Sequence, residues 1–226
     1  PEPPLYFARM KRDNRRGPAL MPTLPQPVPL DTAGIALLAG RTDVVVLDTR
    51  TRGAFFAGHV PGSILAELDF QFGSIAGSYV EEGTPVYLVV EAARLDDAVR
   101  ACVRVGLDRV VGYVTTDVLD DYARRGGQLR QTQVIDMAQM EAERRAGRGV
   151  VVDVRGVGEY EADHVPGAML VPHTRVGTEL NRLPRDTRLL VHCNSGARAA
   201  AAVSLLERHG FDVADVNDAF ARYRQG

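Results

Sequence analysis

An internal repeat constrains the fold of this chain more than any other feature of its sequence. An apolar run that ends in Asp48-Thr49-Arg50 returns later in the chain as a run that ends in Asp153-Val154-Arg155. At the same spacing, Gly58-His59-Val60-Pro61-Gly62 matches Asp163-His164-Val165-Pro166-Gly167. A repeat of this length predicts two copies of one structural unit instead of one large domain.

Each copy alternates short runs of β-branched residues with runs that are typical of helices. In the second copy Asp136 is a candidate N-cap, and Gly210 stands where a helix C-terminus is expected. The patterns predict strands at residues 150–154, 168–171, 188–192 and 212–216, and helices at residues 137–146, 157–162, 198–209 and 219–224. Continuous apolar strands separated by helices predict the α/β class, with a mainly parallel sheet that has helices on both faces.

The repeat predicts two α/β domains, at residues 31–127 and 128–226. Residues 1–30 differ, because they are rich in proline and carry a basic cluster between Arg9 and Arg16. This composition predicts an irregular connector or the remnant of an upstream domain. A partner-docking arm is the alternative.

Composition and charge exclude several classes of function. The 226 residues have a formal net charge of −2, so no general attraction to nucleic acid or to an anionic membrane is expected. No apolar run approaches the roughly 18 residues of a membrane span, and the N-terminus lacks a signal-peptide pattern. Two cysteines form no disulfide framework and favour a cytoplasmic setting. The five histidines show no zinc-ligand spacing, so no metal is expected in this chain.

A short loop in the second copy carries the candidate nucleophile. It follows the predicted strand 188–192, precedes an Ala-rich predicted helix, and consists of Cys193, Asn194, Ser195, Gly196, Ala197 and Arg198. Backbone N–H groups converge in such a loop, and the start of a helix adds positive potential. A thiol held there is expected to ionise easily, to lie open to solvent and to act as a nucleophile. A small cysteine buried in the core is the alternative.

The other loop residues are candidate substrate-binding groups. Gly196 lets the loop curl so that N–H groups can face the sulfur. Asn194, Ser195 and Ala197 leave the pocket open, and Ser195 is either a donor to a bound anion or a solvated loop serine. Arg198 is placed to bind an anionic donor or to brace the loop by bonding its carbonyls.

Three further residues recur in both copies. Asp153, Arg155 and His164 correspond to residues of the first copy, which lacks a thiol, so their recurrence favours a structural role, either a buried Asp–Arg pair or a capped turn. Arg155 is kept as a candidate for the pocket wall. His192 lies beside the candidate nucleophile, but adjacent strand residues face opposite sides, which predicts a packed strand histidine. Cys102 is expected to pack in the core.

These motifs together resemble the rhodanese family of sulfurtransferases. The Asp-Val-Arg strand end, Glu159-Tyr160 and residues 164–168 are similar to that family's N-terminal signature. Cys193-x-x-Gly196-x-Arg198 resembles its active-site loop. The resemblance covers about residues 31–226 and implies tandem rhodanese domains. The first domain is degenerate, because the segment from Val89 to Arg94, which has no thiol, stands where the cysteine loop belongs.

The resemblance implies an activity. The Cys193 thiolate takes the outer sulfur of thiosulfate or of a low-molecular-weight persulfide, holds it as a persulfide, and passes it to a thiol, cyanide or sulfite. No cofactor is needed. Related phosphatases carry a longer loop between cysteine and arginine, so phosphatase or arsenate reductase chemistry is disfavoured. The alternative is a non-catalytic binding or regulatory module.

A second resemblance concerns residues 4–25. They are similar to the junction that follows the metallo-hydrolase domain in bacterial fusions of a metallo-β-lactamase fold with rhodanese repeats, some of which resemble persulfide dioxygenases. This implies an upstream metallo-hydrolase domain as a partner. The zinc-binding His-x-His-x-Asp-His pattern is absent from the chain, so any such metal would lie upstream.

Overall fold

The structure, a computed structural model, describes residues 3–17, 21 and 23–225. Parts of the predicted connector at residues 1–30 therefore lie outside the described residues. The expectation that the rest is irregular is wrong, because Tyr6–Arg16 is an α-helix and Val28–Pro29 pairs with the strand Val110–Thr115. The chain divides into two compact units, an N-terminal unit that ends at Arg130 and a C-terminal unit that begins at Gln131. In the described part of the chain, no helix is long and apolar enough to cross a membrane.

The N-terminal unit is a parallel five-stranded sheet flanked by helices. The strands are β1 (Val28–Pro29), β2 (Val45–Asp48), β3 (Ile64–Leu65), β4 (Val86–Val90) and β5 (Val110–Thr115), in the order β1-β5-β4-β2-β3. The helices are α1 (Tyr6–Arg16), α2 (Thr32–Leu38), α3 (Arg52–Ala57), α4 (Phe72–Tyr79), α5 (Leu95–Arg104) and α6 (Thr116–Arg124), with a 3₁₀ turn at Ala92–Arg94.

The C-terminal unit has the same strand order. Its strands are β6 (Gln133–Ile135), β7 (Gly149–Asp153), β8 (Met169–Leu170), β9 (Arg188–His192) and β10 (Val213–Val216), in the order β6-β10-β9-β7-β8. Its helices are α7 (Met137–Arg145), α8 (Val157–Ala162), α9 (Val176–Glu179) and α10 (Ala197–Arg208), with 3₁₀ turns at His173–Arg175, Leu180–Arg182 and Phe220–Gln225. Two parallel five-stranded sheets flanked by helices confirm the predicted α/β class.

The predicted caps and helices are confirmed except at the C-terminus. The Asp136 carboxylate accepts from the Gln139 N–H at 2.7 Å, and the Gln139 side chain accepts from the Asp136 N–H at 3.0 Å. The closing helix predicted at residues 219–224 is instead the 3₁₀ turn Phe220–Gln225. Its first N–H donates to the Asn194 carbonyl at 3.0 Å, and Arg222 N–H donates to Ala219 O at 2.9 Å in the tighter i to i−3 pattern.

The central strand β9 is buried on both faces. Leu189, Leu190 and Val191 are all 0% exposed, and each such side chain contributes about 1.5–3 kcal/mol relative to an exposed position. Leu190 packs in a cluster with Met140 of α7. On α10, the residues from Ala199 to Glu207 are all buried. The alanines of this helix allow it to lie close to the sheet.

The carboxyl ends of the strands meet at one edge of this sheet. Asp153 pairs with His192 across β7 and β9, and His192 pairs with Val216 across β9 and β10. The next residue after His192 is Cys193. The candidate nucleophile therefore leaves a central strand at the edge where α/β proteins place their ligands.

Candidate active site

The loop after β9 directs a backbone amide at the candidate nucleophile. The Gly196 N–H donates to Cys193 Sγ at 3.2 Å. Gly196 is the N-cap of α10 and has φ 91° and ψ −26°, a left-handed conformation that a side chain would strain. This glycine thus lets the loop close with its N–H on the sulfur, at the positive end of a helix of twelve residues.

The expectation of a thiol open to solvent is wrong. Cys193 is 1% exposed. Cys193 directly follows the buried strand β9. The Phe220 N–H donates a hydrogen bond to the Asn194 carbonyl, which connects the loop to the C-terminal turn. Reaching Sγ therefore requires the loop, or a side chain beside it, to move. The other thiol, Cys102 in α5, is fully buried as predicted, and burial raises its pKa to about 12.

A cavity of about 280 Å³ adjoins the loop. It is lined by Arg155, Glu159, Ala162, Asn194, Phe220 and Ala221. Asn194 is the residue directly after the candidate nucleophile, so the cavity begins one residue away from the sulfur. Asn194 and Ser195 are exposed, and Ala197 is half-buried. The roles that the sequence assigns to these three residues stay predictions.

Arg198 pairs with a carboxylate and not with the loop carbonyls. Its Nη1 donates to Glu159 Oε2 at 2.6 Å and its Nη2 donates to Oε1 at 2.8 Å. This two-pronged hydrogen bond lowers the pKa of Glu159 to about 2. The same bond raises the pKa of Arg198, and attraction to Cys193 adds to that rise, so the guanidinium lies beside the thiol.

Glu159 is the site residue that the sequence reasoning missed. Its Oε2 also accepts from the Gly156 N–H at 3.1 Å, which caps α8. The sequence marked Glu159 only as part of the Glu159-Tyr160 pattern. Nothing local indicates that its partner is Arg198, because 39 residues separate the two in the chain.

Arg155 is held in a buried ion pair, as the recurrence of the motif predicted. Its Nη2 donates to Asp153 Oδ2 at 2.7 Å and to the Asp163 carbonyl at 2.6 Å. The side chains of Asp153 and Arg155 are 0% and 4% exposed. The guanidinium carbon lies 3.8 Å from the centre of the Phe220 ring, which adds a cation–π contact. A direct role for Arg155 in binding substrate stays a prediction.

His192 is packed inside the strand, as predicted. It is 0% exposed, and its ring stacks on Phe220 with centroids 5.4 Å apart. Burial lowers the pKa of His192, while the carboxylate of Asp153, 3.6 Å from its Nε2, acts in the opposite direction. His192 is therefore a neutral core residue that faces Phe220.

The described residues give no sign of a metal centre. Across residues 3–17, 21 and 23–225, no three or more His, Cys, Asp or Glu side chains are arranged to hold a metal ion.

Comparisons with known proteins find a family match in the C-terminal part of the chain. Residues 136–225 match the family model of the rhodanese-like domain. A tRNA sulfurtransferase from Desulfurococcus amylolyticus is 32% identical over 80 residues, which cover 35% of this chain and 16% of the relative. An HTH-type transcriptional regulator from Mycobacterium tuberculosis is 30% identical over 92 residues, covering 40% of this chain and 41% of the regulator. The chain therefore spans less than half of either curated relative.

Among solved structures, the human single-domain sulfurtransferase TSTD1 aligns with a TM-score of 0.39 and 20% identity, covering 42% of this chain and 96% of that protein. A thiosulfate sulfurtransferase from Pseudomonas aeruginosa aligns with a TM-score of 0.37 and 19% identity, covering 88% of this chain and 42% of that one. Residues 136–225 thus match the rhodanese-like family model, and sulfurtransferases are among the proteins that this part of the chain resembles. The tandem arrangement and the metallo-hydrolase fusion stay predictions.

Proposed function

We propose that the C-terminal unit is a sulfurtransferase in which Cys193 carries sulfane sulfur as a persulfide. The observation that carries this proposal is the Gly196 N–H on Cys193 Sγ, at the start of α10 within a rhodanese-like domain. An amide donor stabilises a thiolate, and it also stabilises the anionic persulfide that replaces it. We also propose that residues 31–127 are a degenerate rhodanese-like domain and that residues 128–226 are the active one.

The loading step breaks one sulfur–sulfur bond and forms another. With thiosulfate, the thiolate attacks the outer sulfur, the Cys193–sulfur bond forms, and sulfite leaves with the electron pair of the broken bond. With a hydropersulfide R–S–SH, the same attack releases R–S⁻ and leaves Cys193 as a hydropersulfide. No external oxidant or reductant enters either step.

The unloading step returns the enzyme to its starting state. A thiolate, cyanide or sulfite attacks the outer sulfur of the Cys193 persulfide and forms a bond to it. The electron pair of the broken bond returns to Cys193, and the sulfur leaves as a persulfide, thiocyanate or thiosulfate. The two half-reactions share one site, so ping-pong kinetics are expected.

The burial of Cys193 sets a condition on this mechanism. At 1% exposure the sulfur is closed to solvent, so loading has to be preceded by movement in the loop or beside it. The cavity bounded by Asn194 and Phe220 gives a donor a place to wait next to the loop. Closure around the loaded sulfur would protect a persulfide from stray thiols.

The direct test is sulfur uptake by the intact chain. After incubation with thiosulfate or glutathione persulfide, we expect the protein to gain the mass of one sulfur atom and to lose it as thiocyanate when cyanide is added. Cys193→Ser is expected to lower this loading by a factor of at least about 10³. Cys102→Ser is the matched control, since that thiol is buried in the other unit and should leave loading unchanged.

The rival proposal is a binding or regulatory module. Two observations favour it, the 1% exposure of Cys193 and the transcriptional regulator among the relatives. It predicts no sulfur uptake from either donor. An upstream metallo-hydrolase domain would suit a sulfurtransferase, because persulfide chemistry upstream would produce or consume the sulfur handled here. It would suit the rival proposal as the domain that the module binds or regulates.

A further inference from the structure

The charges around the cavity beside Cys193 cancel in two pairs. Arg155 lines the cavity and is held by Asp153, and Glu159 lines the cavity and is held by Arg198. Arg155 is the cation among the described lining residues, and Glu159 is the anion. Among the described residues that line the cavity, no positive charge is therefore left without a negative partner when an anion enters.

The remainder of the described wall is largely apolar. Ala162, Phe220 and Ala221 supply carbon surface, and Asn194 supplies an amide. A volume of about 280 Å³ is close to the lower end of small-molecule pockets. The cavity thus offers room and apolar contact for the carbon part of a small thiol.

Arg198 would be the natural partner of an anionic donor, yet a carboxylate already holds its two terminal nitrogens. The guanidinium also hydrogen-bonds to the Cys193 side chain, while its Nη1 and Nη2 donate to the two oxygens of Glu159. A dianion such as thiosulfate would have to displace that carboxylate or approach it as a like charge. Either route costs free energy, since removing a dianion from water needs a compensating cation.

The two members of this pair are also absent together from the other copy. When the copies are aligned on their strand ends and loops, Ala54 stands at the position of Glu159 and Leu95 at that of Arg198. The N-terminal unit carries neither the thiol nor the pair. The pair thus accompanies the nucleophile and is not required by the sheet and helices that both units share.

We propose that Glu159 sets the donor preference of this site, turning it away from dianionic thiosulfate and towards the hydropersulfide of a small organic thiol. The proposal rests on the sulfur transfer proposed above. Glu159 acts through Arg198 and through the charge of the cavity, so it is a specificity and positioning residue that does not itself contact the transferred sulfur.

The test compares two donors on one variant. Glu159→Gln removes the negative charge and keeps an oxygen that can accept from the Gly156 N–H. For loading of Cys193, we expect kcat/KM with thiosulfate to rise about tenfold in Glu159→Gln, while kcat/KM with cysteamine persulfide, a small donor whose ammonium group balances its persulfide anion, changes less than about threefold. Glu161→Gln, an exposed residue on the same helix, is the matched control and should leave both values unchanged.

A second measurement uses the wild-type protein and does not depend on the folding of a variant. Salt screens like-charge repulsion and also screens attraction to a cation. Because the described charges around the cavity are paired, we expect kcat/KM with thiosulfate not to fall as the chloride concentration rises, and the persulfide value to stay nearly constant. A fall with salt would indicate a cation available to thiosulfate and would overturn the proposal.

Other outcomes are equally decisive. If kcat/KM falls equally with both donors in Glu159→Gln, Glu159 has only a structural role. If the wild-type protein prefers thiosulfate, the proposal is wrong. An unchanged donor ratio, with loading intact, would overturn this inference alone. Failure of wild-type protein to load from either donor would overturn the sulfurtransferase proposal and this inference with it.

Discussion

The two units secure the end of an equivalent strand in the same way. In the N-terminal unit, Arg50 Nη2 donates to Asp48 Oδ2 at 2.7 Å and to the Gly58 carbonyl at 2.8 Å. In the C-terminal unit, Arg155 makes the matching pair of bonds, at 2.7 Å to its aspartate and 2.6 Å to the Asp163 carbonyl. Each arginine thus links a strand end to the residue that follows the next helix.

A histidine–aromatic stack accompanies this link in both units. His59 stacks on Phe55 with centroids 3.8 Å apart, and His164 stacks on Tyr160 at 3.9 Å. In each case Nδ1 lies close to the main-chain oxygen of the same aromatic residue, at 3.0 and 2.9 Å. One unit has no thiol at the loop, so features common to both belong to the scaffold.

The units differ at the loop itself. Val89 pairs with Asp48 in β2 as His192 pairs with Asp153 in β7, so Val90 occupies the place of Cys193. A 3₁₀ turn at Ala92–Arg94 follows it, in place of a left-handed glycine. The two units therefore share the framework at the strand end and differ in the segment that follows it, and they differ again at Glu159, where the N-terminal unit has Ala54.

The largest effect is expected from moving the thiol between units. In the double variant Cys193→Val, Val90→Cys, sulfur loading should stay at least about 10³-fold below wild type. Val90 is 0% exposed, and the segment after it lacks the glycine that turns an amide onto the sulfur. The readout is protein mass after incubation with glutathione persulfide.

The control for this transplant is alkylation of the denatured double variant, which shows that the new thiol is present and reduced. Loading above about a hundredth of the wild-type rate would contradict this difference between the two units. It would mean that the strand end alone, without the Gly196 turn, is enough to activate a cysteine.

The next effect concerns the shared ion pairs. Asp48→Ala and Asp153→Ala each leave a buried guanidinium without its carboxylate, which costs about 3–5 kcal/mol of unfolding free energy. The two losses should be similar, although the Arg50 side chain is 11% exposed and the Arg155 side chain 4%. The chain has no tryptophan, so hydrogen exchange read by mass spectrometry is the suitable measurement, since it reports peptides of each unit separately.

Asp120→Ala, an exposed aspartate on α6, is the control for the N-terminal unit. A cost below about 1 kcal/mol for Asp48→Ala, with a large cost for Asp153→Ala, would separate the two pairs. It would indicate that only the second pair contributes strongly to folding stability, so the two pairs would not be equivalent parts of the scaffold.

Much of the fold could be predicted because its signals are local. The strand predicted at residues 188–192 coincides with β9, and the Asp136 cap begins α7 where expected. Apolar periodicity and capping residues act over a few positions, so a single sequence reveals them. The repeat also showed which strands and loops of one unit correspond to those of the other.

The site could be predicted only in part, because its decisive features depend on distant residues. The loop glycine was recognised from its neighbours. The burial of Cys193 depends on how the C-terminal turn at Phe220 bonds to the loop, and the occupancy of Arg198 depends on Glu159. Such contacts are set by packing, which periodicity does not report.

The smallest effect is expected at another difference between the equivalent strands β4 and β9, where β9 has His192 and β4 has Val89. Burial lowers the pKa of His192, so the folded state keeps it neutral while the unfolded state binds a proton below pH of about 6.5. Stability should therefore fall as the pH drops below that value, by up to about 1.4 kcal/mol per pH unit from this residue. His192→Val should remove that slope, at a cost on the order of 1 kcal/mol at pH 7.5. Urea unfolding followed by circular dichroism at several pH values measures both.

The pKa of His209 is also lowered by burial, but that residue is present in both proteins, so its contribution cancels in the difference. An unchanged slope in His192→Val would mean that His192 already carries its proton in the folded state, as a partner of Asp153, and the contrast with Val89 would then be one of charge and not only of packing.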